Sequence, residues 1–174
     1  MEWFIVVAIR LLVPLTILRW NLAGSVLAIL ADNFDVVILD MLGVKDFSPY
    51  NRVDKFLDTY MYLIQGYTVW YWRNKFAKKM GLFLLAYRFI GVILYEATEW
   101  RSLLFIFPNL FIFYYMYYLI YKKIRKKEPF TTFKGALPIL VVLLAVKLFQ
   151  EYMLHVAQFP IYGWLTQNVF VIFK

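Results

Sequence analysis

Cysteine does not occur among the 174 residues. That excludes a disulfide framework, a thiolate nucleophile and any cysteine-ligated metal. Histidine occurs once, at His155, so an H-E-x-x-H zinc motif is excluded, and no Ser-His-Asp order, P-loop or G-x-G-x-x-G is present. Charge is scarce: 17% of residues carry it, while 63% are hydrophobic. Soluble domains have about 25% and 45–50%. What charge there is favours one sign, with 19 Lys and Arg against 11 Asp and Glu. Aspartate is absent except between residues 32 and 58, which hold Asp32, Asp35, Asp40, Asp46, Asp54 and Asp58.

The gaps between charges leave several apolar runs of about twenty residues, the length needed to cross roughly 30 Å of hydrocarbon. The sequence therefore predicts an all-α polytopic membrane protein. It reads as a single transmembrane domain, residues 1–174, forming a bundle of six transmembrane helices. The expected spans are about Trp3–Leu18, Leu22–Leu42, Val53–Tyr71, Lys79–Thr98, Ser102–Tyr121 and Ala136–Gln158. A short apolar C-terminal segment, Phe159–Lys174, is interrupted by Pro160, Gly163, Gln167 and Asn168 and is expected at the interface. The N-terminus has no basic leader, carries Arg10 in its apolar run and lacks an A-x-A site, so it reads as a first span rather than a cleaved signal. Trp70, Tyr71, Trp72 and Trp100 fall where an interfacial aromatic belt is expected. Aromatic crowding in Phe111–Tyr121 reads as ordinary packing, with a lipid-facing or lipid-tail-binding helix face as the alternative.

The connections after the first, third and fifth spans hold eleven Lys and Arg, against Lys45, Arg52, Arg101 and Lys174 on the other side. The positive-inside rule places the eleven-charge side in the cytoplasm, where its cations face anionic lipid. Membrane lipids are the expected partners. Nucleic acid is not, and a homodimer stays open. The expected location is the plasma or inner membrane.

The aspartates carry the chemical signal. Asp32 and Asp35 are three residues apart on the second span, and Asp54 and Asp58 four apart on the third, so each pair shares a helix face. The short connection Gly43–Arg52 makes the two helices antiparallel neighbours and lets the pairs converge. Four carboxylates at low dielectric repel strongly, and divalent cations with hard oxygen ligands, Mg or Mn, resolve that conflict. Neutralisation by nearby Lys and Arg is the alternative. A metal site of this kind supports phosphoryl chemistry; the same carboxylates would also serve a non-enzymatic transporter or ion-binding protein.

Asp32-Asn33-Phe34-Asp35, eighteen residues and then Asp54-Lys55-Phe56-Leu57-Asp58 resembles the signature D-x2-D-G-x2-A-R-x8-9-G-x3-D-x3-D of the CDP-alcohol phosphotransferases. These are six-helix membrane enzymes of phospholipid metabolism, and the signature lies on their second and third helices. The resemblance implies metal-dependent phosphoryl or phosphatidyl transfer to an alcohol. Asp32, Asp35 and Asp54 would be metal ligands and Asp58 the catalytic base. Val36 stands at the first signature glycine, Leu39 and Asp40 at the Ala-Arg pair, and Tyr50 at the second glycine. Arg52 or Lys45 would be the substitute phosphate-binding residue, Arg52 the better of the two because it grips phosphate bidentately; the alternative for both is a flanking cation that snorkels to the interface. The family's site opens to the cytoplasm, whereas the charge count puts Gly43–Arg52 outside.

Other charges at membrane depth need partners. Arg88 is expected to pair with an aspartate of the hub, to bind lipid phosphate, or to form a structural ion pair. Arg10 reads as structural. Lys147, Glu151 and His155 follow one another at i,i+4 on the sixth span, forming either a polar relay or a self-neutralising face.

Overall fold

The computed structural model describes residues 3–42, 48–100, 103 and 106–152, with side chains at all of these except 40, 41, 48, 49, 51, 52 and 151. The C-terminal segment, His155 and most of the Gly43–Arg52 connection lie outside the described residues. Among the described residues the chain is helical without strands. The helices are α1 (Trp3–Leu12), a 3-10 segment (Val13–Leu18), α2 (Asn21–Asn33), α3 (Asp35–Met41), α4 (Ser48–Trp70), α5 (Lys75–Thr98), α6 (Leu110–Arg125) and α7 (Phe133–Glu151).

Local chemistry sets the boundaries. Pro14 lies in the first turn of the 3-10 segment, where its missing N–H and fixed φ are tolerated. The Arg19 and Trp20 amides both donate to Thr16 O, which closes the hairpin into α2. Gly24 makes this packing feasible. A Cβ there would lie 2.5 Å from Ile17 N and 2.6 Å from Thr16 C, backbone atoms that cannot yield. Asn74 caps α5 by accepting from Ala77 N at 3.0 Å, and Thr132 caps α7 by accepting from Gly135 N, as expected for short polar side chains at N-caps. Helices α5 and α6 end on Glu99 and Lys126, both left-handed at φ 55° and 56°.

The expected second span is not one helix. It bends at Phe34 (φ −98°, ψ 0°), between α2 and α3. Asn33 donates its side-chain amide to Ile29 O at 2.7 Å, the kind of local bond that competes with helix continuation. Asp35 then opens α3, its Oδ1 accepting from Val36 N at 2.5 Å. A carboxylate suits that position because the first amides of a helix lack backbone acceptors.

Two helices, Lys75–Thr98 and Phe133–Gln150, are long and apolar enough to cross a membrane, and Trp3–Leu18 forms a shorter apolar pair of segments. The remaining expected spans depart from that pattern for separate reasons. Helix α4 has the length but carries Asp54, Lys55 and Asp58. Helix α6 has only 16 residues because the chain before it passes through Pro108 and Asn109, outside regular helix.

Helices α2 and α4 are antiparallel neighbours. Arg10 bridges Asp32 and Asp58 at one level; at another, Tyr115 hydroxyl bonds Thr68 at 2.8 Å and lies beside Ser25. Helix α5 returns along α4, pairing Lys55 with Glu96 at 2.7 Å. The main core is aromatic. Trp72 stacks on Tyr118 with centroids 3.7 Å apart, above buried Phe111, Tyr114 and Tyr115. Packing thus accounts for the aromatic run in α6. Trp72 departs from the expected belt: it is only 9% exposed, whereas Trp70 and Tyr71 are open. A second, smaller core joins Val6, Leu39, Tyr50 and Leu57.

Candidate functional site

Three helices deliver the four motif aspartates to one place, and a fourth supplies the cation between them. Arg10, on α1, is 4% exposed. Its Nη1 donates to Asp35 Oδ2 at 2.7 Å and to Tyr50 hydroxyl at 3.0 Å, and also contacts Asp54. Its Nη2 donates to Asp58 Oδ1 at 2.5 Å and contacts Asp32. A guanidinium has enough donors, fanned in a plane, to serve carboxylates on several sides at once.

The expected convergence of Asp32, Asp35, Asp54 and Asp58 is therefore found, with a centre the sequence reading did not place. Arg10 answers part of the repulsion, as the alternative of neutralisation by a nearby Lys or Arg expected. One guanidinium against four carboxylates leaves a formal deficit of three charges when all are ionised. Such a deficit in a partly buried site is costly without further cations or protons.

The aspartates divide into two kinds. Asp35 is buried at 5% exposure and fully engaged: Oδ2 accepts from Arg10 and, at 2.5 Å, from Tyr50 hydroxyl, while Oδ1 accepts from Val36 N. Asp32, Asp54 and Asp58 have side chains 30%, 37% and 34% exposed. These three can each offer a ligand oxygen within 4.8 Å of the others. At most two of three ligands on one octahedral Mg ion are opposed, about 4.2 Å apart, and adjacent ones lie about 3 Å apart, so the trio would draw together to coordinate; an all-oxygen donor set suits Mg or Mn. The three aspartates can hold a metal ion. The geometry groups Asp58 with the ligands and turns Asp35 towards Arg10 and Tyr50, a different division from the one the resemblance implies.

Tyr50 is the second residue the sequence reading missed. It occupies the position of a signature glycine, is buried, and ties Asp35 to Arg10. Where the resemblance implies open space beside the backbone, this chain has a phenol. Arg52 lies in the first turns of α4, its side chain outside the described residues, as is that of Asp40. Arg88 does not reach the hub. Its Nη1 donates to Phe107 O at 3.0 Å, bracing the entry to α6. Lys147 donates to Gln150 at 3.1 Å and lies over the Phe113 ring; Glu151 side chain and His155 fall outside the described residues. The i,i+4 stripe is thus represented only by Lys147.

At the far end of the bundle Glu128 forms a second polar cluster. Tyr118 hydroxyl donates to it at 2.6 Å, Lys122 at 2.9 Å and Asn74 at 3.2 Å. Burial works against its charge, but these three donors outweigh it and hold the carboxyl below the ordinary glutamate range.

No family model, curated sequence or solved structure matches this chain.

Proposed function

We propose that the chain is an integral membrane protein of six spans whose aspartate hub binds a divalent cation and transfers a phosphoryl or phosphatidyl group to an alcohol. The observation that carries this reading is the convergence of Asp32, Asp35, Asp54 and Asp58, at the spacing of the CDP-alcohol phosphotransferase signature, on one buried guanidinium. Six spans are assigned by counting α1 with the 3-10 segment, α2 with α3, and the Ser102–Tyr121 region that contains α6. The exposed apolar faces of α5 and α7 support burial in lipid.

In this reading Asp32, Asp54 and Asp58 would hold the ion, and the chemistry it would supply there is polarisation of the phosphoryl group and neutralisation of its charge. Arg10 supplies the guanidinium that Asp40 removes from the signature. Asp35 and Tyr50 anchor it beside the trio, where its N–H groups not held by those two would face an incoming phosphate. The acceptor hydroxyl gives its proton to a hub carboxylate, with Asp58 in the position that resembles the base. Its oxygen bonds to the lipid-bearing phosphorus, and the pyrophosphate P–O bond breaks to release CMP. The test is release of CMP from a labelled CDP-linked lipid, with an alcohol and Mn, by the purified protein. Release that Asp58→Asn abolishes is expected. No release across donors, with Mn bound, would contradict the enzyme reading.

A second reading, a non-enzymatic transporter or ion-binding protein, is favoured by the same Arg10. A resident counter-ion touching all four carboxylates suits a site that exchanges one cation for another without chemistry. Mn binding with no CMP release, together with Mn uptake into vesicles, is its signature.

A further inference from the structure

The two most basic connections, residues 73–79 and 122–134, are separate in sequence. The structure fastens them together. Asn74 donates its side-chain amide to Phe130 O at 2.7 Å and to Glu128, which also gathers Tyr118 and Lys122. Ten Lys and Arg come from these two stretches, and most of them are exposed. Glu128 is their only acidic companion in either stretch, and it is already committed to Lys122. The outcome is one strongly cationic end of the bundle. It lies away from the aspartate hub, because Asp54 and Trp70 are sixteen residues apart on α4, about 24 Å at helical rise.

What borders this end points to its occupant. Trp70 and Tyr71 stand exposed beside it, with Lys78 lying over the Trp70 ring at 4.6 Å. Amphipathic rings of this kind settle at headgroup depth. Helix α7 leaves the patch with Phe133, Leu137, Val141 and Val142 exposed, a face for acyl chains. Dense positive charge continuous with an aromatic rim and a hydrocarbon-like face fits a lipid that is anionic at one end and apolar at the other. An acidic soluble protein would match the charge and leave the rim and α7 uncovered.

We infer that the clamped 73–79 and 122–134 connections form a docking surface for anionic phospholipid headgroups. The inference rests on the membrane reading and is independent of the chemistry at the aspartates. Juxtamembrane cations each add attraction to anionic lipid that salt screens. The full-length protein is mixed with vesicles of phosphatidylcholine alone or with phosphatidylglycerol, and flotation establishes insertion. Native mass spectrometry of the detergent-released protein then counts lipid adducts. The expected result is retention of phosphatidylglycerol over phosphatidylcholine by about tenfold or more, falling as salt rises. The exposed-site variant Lys75→Gln/Lys79→Gln/Lys126→Gln/Lys127→Gln should lose this preference while keeping wild-type helicity, and Lys55→Gln, at the other end, should keep it. Insertion without any headgroup preference, or a preference unchanged in the quadruple variant, overturns the docking surface and leaves the membrane reading standing. Failure to float with either vesicle overturns both.

Discussion

Removing Arg10 is the sharpest perturbation of the hub. Arg10→Ala leaves four carboxylates facing one another without the cation that touches all of them. Deleting one partner of a buried ion pair destabilises by about 3–5 kcal/mol, because the remaining charge is left uncompensated. Three of the four aspartates here are about one-third exposed, so water screens part of the repulsion and the expected loss is about 3 kcal/mol, at the lower end of that range. Against a typical total of about 5–15 kcal/mol, that is a large fraction. The assay is thermal unfolding in detergent, followed by helical circular dichroism with and without Mn or Mg. Arg10→Ala should melt well below wild type, and divalent cation should restore much of the loss by supplying the missing charge. Arg10→Lys should fall between, since one ammonium cannot fan out to four carboxylates. An Arg10→Ala protein that melts within about 0.5 kcal/mol of wild type, the range of an ordinary surface substitution, would show that Arg10 does not hold the four carboxylates together.

Four further outcomes are expected. Asp35→Asn should cost more stability than Asp54→Asn, by about 1–2 kcal/mol, because Asp35 is buried and accepts three hydrogen bonds; comparative melting checks it. Gly24→Ala should destabilise by about 1–3 kcal/mol, since its methyl would strike the Thr16–Ile17 backbone. Trp72→Ala should cost about 3–5 kcal/mol by emptying the centre of the aromatic core, whereas Trp70→Ala should cost little. Glu128 is held below its ordinary value of 4.5, so its contribution is complete above about pH 4.5 and is lost as pH falls below that through the lowered value. Melting scanned downward from pH 6 should show a stability decline that Glu128→Gln lacks.

The all-α class, the helix order and the α2–α4 pairing were legible because each rests on local periodicity or a short connection. The aspartate convergence was legible for the same reason, being i,i+3 and i,i+4 pairs on adjoining helices. The centre of the hub was not. Arg10 lies 22 residues before the first aspartate it meets, and no periodic relation joins them. The only signal was a charge within an apolar run that needed some partner. Tyr50 was hidden in another way: beside a glycine-bearing signature it read as a departure, whereas its hydroxyl bonds both Asp35 and Arg10. Trp72 sat in a run of aromatics at a helix end, and only the packing of α6 shows that it turns inward while Trp70 and Tyr71 turn out. The bend at Phe34 follows from side-chain hydrogen bonding by Asn33 and Asp35, which apolar run length does not register.

On the reading proposed above, Asp32, Asp54 and Asp58 act together as a divalent-cation site beside Arg10. Electron paramagnetic resonance of Mn titrated into the purified protein measures this directly, because bound Mn leaves the free-aquo signal. Saturable binding is expected, weakened by about tenfold or more in each of Asp32→Asn, Asp54→Asn and Asp58→Asn and unchanged in Lys55→Gln. Wild-type protein that leaves the free Mn signal intact, or an Asp58→Asn variant that binds as wild type does, would contradict it.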